Sequence, residues 1–153
     1  MTHHRKIAII RDFVPRLRSQ IAPLSPEQLT TAYNAPEWTV AQNVHHLVDS
    51  HMNSYTRFKL ILTEDNATIR PYDQDAFALL PDATSADVSY SLRILEGLHT
   101  RWAIMLENIS DWSKAGYHPE LNKPITLADL LDGYSNHCEA HIQQIQAVID
   151  RMP

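Results

Sequence analysis

Residues 126–148, TLADLLDGYSNHCEAHIQQIQAV, carry the pattern on which the reading of this chain turns. Leu127, Leu130, Tyr134, His137, His141, Gln144 or Ile145, and Val148 recur at spacings of three and four, one stripe of an α-helix. Thr126 with Asp129 three residues on has capping-box form, so the helix begins there. A stripe of this kind faces a core, yet His137 and His141 stand in its middle. Four residues apart, the two rings lie one turn above each other on the same face. Burying two imidazoles costs free energy unless each finds partners, and a metal ion satisfies both at once.

Three more stripes lie upstream. Ile7, Ile10, Val14, Leu17 and Ile21, with Leu24 beyond, predict a first helix over about residues 4–21, with local distortion at Pro15. Ser25-Pro26-Glu27-Gln28-Leu29 reads as a short capped turn. Thr39 and Gln42 form a second capping box, and Val40, Val44, Leu47, His51, Ser54 or Tyr55, Phe58 and Leu62 predict a helix ending near Thr63. Cap residues at Thr84-Ser85-Ala86-Asp87 open a third helix, with Val88, Leu92, Leu95, His99, Trp102, Leu106 and Ile109 as its seam. Four amphipathic helices make an all-α, four-helix bundle. The connections 64–83 and 111–124 are long enough to cross the bundle, so simple up-down order is not required. Phe77, Leu79 and Leu80 are expected to pack the first of them down.

Composition narrows the function. With 153 residues the chain reads as one domain, residues 1–153, large enough for a full core. Three glycines provide no phosphate-cradling loop. A net charge of −5 without a basic patch argues against nucleic acid, and no apolar run approaches the roughly 20 residues of a membrane span. The lone Cys138 fits a reducing cytoplasm. His3 and His4 read as a mobile terminus, with no signal peptide.

Two histidines do not complete a metal site. Helical geometry favours His51 as a partner, because it lies on the seam of its helix. His46 sits at the seam's edge in a polar row with Asn43, Ser50, Asn53 and Arg57, and His45 lies nearly opposite, toward solvent. His99 reads as a core histidine with one hydrogen-bond partner. Glu139, two residues from each histidine of the pair, points elsewhere, and the Glu-x-x-His signature of carboxylate-bridged centres is missing. Cys138 points about 100° from His137 and reads as a small buried residue.

The run 38–59, WTVAQNVHHLVDSHMNSYTRFK, resembles the DinB/YfiT-like metalloenzymes, as do IRPYD (69–73), LHTRW (98–102), YHP (117–119) and AHI (140–142), in family order. The likeness is to the YfiT branch, which includes bacillithiol S-transferases. It implies a DinB-type bundle, often dimeric, and one divalent ion per chain, zinc or nickel, held by His46, His137 and His141. His46 thus replaces His51 as the third ligand, and His51 becomes a supporting or core group. Tyr134, Asn136 and Cys138 stand where relatives carry further histidines.

Three neutral histidines leave an ion its full charge and open positions. A thiol held there as thiolate attacks an electrophile; a water made acidic there hydrolyses one. The resemblance implies the first: transfer of a low-molecular-weight, bacillithiol-like thiol. Hydrolysis is the alternative, and a bundle with a purely structural ion the third. Arg57 and Arg70, with Arg101 behind them, are candidate contacts for substrate carboxylates, and Tyr72 and Asp73 could shape the mouth or anchor the loop. The implied partners are two small molecules and a second copy of the chain.

Overall fold

The computed structural model describes all 153 residues. Helix α1 (His3–Ile21) runs through Pro15 and buries Ile7, Ile10, Phe13, Val14, Leu17 and Ile21. It begins at His3, whose ring packs against Trp112, so this residue belongs to the fold and not to a loose terminus. The short α2 (Pro26–Thr30) has the Ser25 cap and N-terminal proline expected of it. Helix α3 (Val40–Thr63) follows the Thr39–Gln42 capping box, and the four-residue α4 (Gln74–Phe77) is capped by Asp73. Helix α5 spans Ser89–Glu107. Strands β1 (Ala115–His118) and β2 (Lys123–Thr126) precede α6 (Leu127–Ile149).

Packing follows the buried stripes. Helices α1 and α3 each lie against both α5 and α6, which places α1 diagonally across from α3 and α5 diagonally across from α6. The connections α1–α3 and α5–α6 therefore cross the bundle, and α3–α5 joins neighbours. Trp102, Phe13, Phe58, Leu47, Leu95, Leu131 and Ile145 are among the fully buried side chains that fill it. No helix is long and apolar enough to cross a membrane.

Three further expectations change. Helix α5 starts at Ser89 rather than Thr84, because the Asp87 carboxylate accepts the Ser89 N–H at 3.0 Å and halts the preceding segment as a turn. The connection 111–124 contains a hairpin, registered Ala115 opposite Thr126 and His118 opposite Lys123. Its β1 strand also binds the segment after α3: Ile69 N–H donates to the Tyr117 carbonyl and Tyr117 N–H to that of Ala67, both at 2.8 Å. That approach requires Gly116, where a Cβ would stand 3.0 Å from Ile61 Cγ1 and 3.1 Å from the Ala67 oxygen. Because β2 ends on Thr126, the cap of α6, the hairpin sets where the histidine helix begins. Finally, Phe77, Leu79 and Leu80 are exposed; Ala78 is the residue of that loop that packs inward.

Candidate metal centre

Helices α3 and α6 face each other, and the polar row of α3 meets the histidine pair of α6 in that groove. The structure brings His46, His137 and His141 together, with one nitrogen of each lying within 4.8 Å of the others. The converging atoms are Nε2: 3.4 Å from His46 to His137 and 3.2 Å from His141 to His137. Trp38, from the turn before α3, lays its indole over His46 at a centroid distance of 4.7 Å and parallel to His141 at 6.5 Å.

The hydrogen bonds behind the rings decide what these nitrogens offer. Asn43 Nδ2 donates to the Thr39 carbonyl at 2.9 Å, so Asn43 Oδ1 must face the other way. That oxygen lies 2.8 Å from His141 Nδ1, which therefore carries the proton. His141 Nε2 is left as a lone pair aimed into the cluster. His137 Nδ1 is 3.1 Å from His51 Nε2, and His51 Nδ1 is 2.8 Å from His99 Nε2. His99 Nδ1 lies 2.6 Å from the carbonyl oxygen of Ile10. His46 Nδ1 is buried without a partner.

Burial disfavours the charged form of every ring in this group. It lowers His46 and His141 to about 4, with the charge of His46 adding to the effect at His141. His137 falls to about 3, through burial first and then its neighbours His141 and His46. His99 is lowered to about 4 and His51 well below its ordinary value, again chiefly by burial. At neutral pH the cluster is a set of uncharged nitrogen donors. Uncharged imidazole nitrogens converging at this separation make a favourable seat for a cation. The donor set fits a divalent ion that takes imidazole nitrogen, and with three protein donors it leaves coordination open.

A cavity of about 610 Å³ opens on the cluster. Trp38, Asn43, His46, His137 and His141 form its floor, and the exposed Glu37, Gln74, Asp75 and Gln144 its mouth. Asp73 contributes indirectly. Its Oδ1 accepts the Asp75 and Ala76 N–H groups at 3.1 and 2.9 Å, folding α4 so that Gln74 and Asp75 reach the cavity. Glu37, Gln74 and Asp75 come from connections, where no periodicity marks them. Asn43, in the polar row with His46, and Gln144, at the stripe of α6, are the lining residues beside the three histidines that the spacing picks out.

The other candidates sit elsewhere. Arg57 donates from Nη2 to the Arg70 carbonyl at 2.7 Å and from Nη1 to the Tyr134 hydroxyl at 3.3 Å. Neither Arg57 nor Arg70 lines the cavity, and exposed Arg101 lies over the Tyr55 ring. His51 is fully buried behind His137, not in the cluster. His99 has two partners rather than one. His45 corrects the reading of α3 most clearly. It is buried rather than solvated, with Nε2 donating to the Ser85 carbonyl at 2.9 Å and Nδ1 accepting from the Ser91 hydroxyl at 2.7 Å. Cys138 is fully buried outside the cluster, and burial pushes its thiol well above the ordinary range. Glu139 pairs with Arg16 on α1.

A crossed four-helix bundle around a three-histidine pocket defines a class of metal-binding bundle proteins. The chain belongs to the DinB superfamily, whose model matches residues 14–145. It is 42% identical over 148 residues to YfiT of Bacillus subtilis, provisionally named a metal-dependent hydrolase, covering 95% of this chain and 83% of that protein. A relative from Bacillus licheniformis with the same provisional description is 44% identical over 138 residues, 89% of this chain and 78% of its own. The solved structure of B. subtilis YfiT superposes with a TM-score of 0.93 at 41% identity, covering 98% of this chain and 87% of that one. It is described as a probable metal-dependent hydrolase with an unusual four-helix bundle topology. A mycothiol-dependent maleylpyruvate isomerase shares the fold at a TM-score of 0.63 and 12% identity, over 95% of this chain and 61% of its own.

Proposed function

We propose that this protein is a metal-dependent transferase that joins a low-molecular-weight, bacillithiol-like thiol to an electrophile, at one zinc or nickel ion held by His46, His137 and His141. The observation that carries this reading is the convergence of three uncharged Nε2 donors on the floor of a cavity of about 610 Å³. That volume is in the range of pockets that enclose a whole organic ligand, and it leaves room for a second reactant. A bound divalent ion supplies positive charge that favours the thiolate over the thiol.

The chain's own residues do the rest. Asn43 and the imidazoles behind His137 hold the donors in place. Trp38 walls the cluster and limits access of bulk water. Glu37 and Asp75 are the carboxylates on the cavity wall, and they offer the proton of an incoming thiol a place to go. They also suit the ammonium group of a cysteine-derived thiol. In the reaction a sulfur–carbon bond forms, the leaving group departs with its electron pair, and the thiol proton passes to a carboxylate or to solvent.

The names of the Bacillus relatives favour a second reading, in which water replaces the thiol at the same site. The two are separated by following loss of chlorodinitrobenzene and of an ester substrate with several small thiols, with and without chelator. The transferase reading expects chelator-sensitive consumption of the electrophile only when thiol is present. Thiol-independent, chelator-sensitive ester cleavage with no conjugate formed would replace it by hydrolysis.

A further inference from the structure

The bundle buries three more imidazoles than the proposed ligand set uses; Ser85 and Ser91 satisfy His45, which leaves His51 and His99 to explain. His51 and His99 have almost no exposed surface and lie among Phe13 and Trp102, with ring centroids 5.4–5.7 Å apart. Two apolar side chains could fill such a space without needing hydrogen-bond partners. The imidazoles instead form one unbroken line from the backbone of α1, through α5 and α3, to His137 on α6. All four long helices contribute one member.

The line has a direction, set at its far end. The Ile10 carbonyl can only accept, so His99 Nδ1 carries its proton. A neutral imidazole has one N–H, which leaves His99 Nε2 as an acceptor and requires the proton of His51 on Nδ1. His51 Nε2 is then an acceptor in turn, and His137 Nδ1 must donate to it. By this chain of necessity the lone pair of His137 falls on Nε2, the atom that meets His46 and His141. A line that ends on a carbonyl cannot pass protons through to solvent, so it works as a lock and not as a conduit.

We propose that His99 and His51 are positioning residues for the metal centre: they hold His137 as its Nδ1–H tautomer, with Nε2 presented to the ion. The proposal rests on the metal reading above, but its main test does not. Nitrogen-15 spectra of histidine-labelled, metal-free protein near neutral pH report the tautomer of each ring. The expected spectrum shows His137 and His51 as Nδ1–H. Wild-type His137 carrying its proton on Nε2 would overturn the proposal even if every variant failed to fold.

Zinc competition titrations provide the second readout. His51→Leu removes the acceptor for His137, and zinc affinity should fall about ten- to a hundredfold, with a shift of His137 toward Nε2–H. His51→Gln restores an acceptor and a donor on one side chain and should bind zinc within a few-fold of wild type. Equal zinc affinity for folded wild type and His51→Leu, with an unchanged His137 spectrum, would overturn the lock. Failure of wild-type protein to bind zinc or nickel at all would instead remove the metal reading, while leaving the tautomer measurement in force.

Discussion

His45 and His46 are neighbours in sequence, both buried, and end in different grooves of the same helix. In the α3–α5 groove, His45 has both ring nitrogens satisfied by Ser85 and Ser91, and it clips the turn before α5 onto α3. In the α3–α6 groove, His46 meets two other imidazoles through Nε2 and nothing through Nδ1. Burial therefore does not distinguish a structural histidine from a ligand. What distinguishes them is whether protein atoms already complete the ring's hydrogen bonding. His45 is complete within the fold; His46 is not, and its Nε2 faces other imidazoles.

The comparison breaks most sharply on paired substitutions. His46→Ala should abolish stoichiometric zinc binding, read by metal analysis after gel filtration, with the fold retained. His45→Ala should bind zinc normally but lose about 1–3 kcal/mol of stability in denaturant unfolding, because the Ser85 carbonyl and Ser91 hydroxyl lose their partner. If His45→Ala loses the ion while His46→Ala keeps it, the assignment of the two grooves is reversed.

Asn43 is a finer instrument. It fixes the proton of His141 from the Thr39 carbonyl, so Asn43→Ala should weaken zinc binding about tenfold or more without preventing it. Unchanged affinity in a competition titration would show that His141 needs no such support.

Acid acts on the buried imidazoles of the cluster and of the line behind it. Burial holds His46, His99 and His141 down at about 4 and His137 at about 3, against an ordinary value of 6.5. The unfolded chain takes up these protons first, so each group's stabilising contribution is complete above pH 6.5. It is lost as pH falls from 6.5 to about 4, and to about 3 for His137. Metal-free protein should show a falling unfolding free energy across that window. The slope should be smaller in His137→Ala, which removes one of the groups. A slope that reverses sign in that window would contradict neutral, buried imidazoles.

The effect with the least bearing on the ion lies away from both grooves. Gly116→Ala would press a methyl group against Ile61 and the Ala67 carbonyl and should cost about 1–3 kcal/mol, with zinc affinity unchanged. A loss of zinc affinity there would mean that the hairpin positions α6 more tightly than its cap alone requires.

Most of the bundle is legible from periodicity, because each long helix packs an apolar stripe and begins at a recognisable turn. Thr39 with Gln42 and Thr126 with Asp129 form the reciprocal hydrogen bonds their spacing predicts. The hairpin is not legible, since two four-residue strands containing a glycine and a proline owe their pairing to each other and to the distant segment at Ala67–Ile69. A single helical wheel also misplaces His45. It assumes one partner surface, whereas α3 lies between α5 and α6 and buries two sides. That double burial is why spacing alone favours His51 over His46: both point inward, and only the position of α6 separates the ring in the cluster from the ring behind it. The cavity mouth is the least visible part, because Glu37, Gln74 and Asp75 are placed by turns and a four-residue helix.

The central claim is that the three Nε2 atoms in the α3–α6 groove form one metal centre. Anomalous diffraction from zinc-soaked crystals measured on both sides of the zinc absorption edge tests it directly. The account predicts one peak per chain, about 2.0–2.1 Å from Nε2 of His46, His137 and His141, with further density at an open position facing the cavity. An ion seated instead on His51 or His99, or no peak beside a well-ordered histidine cluster, would contradict it.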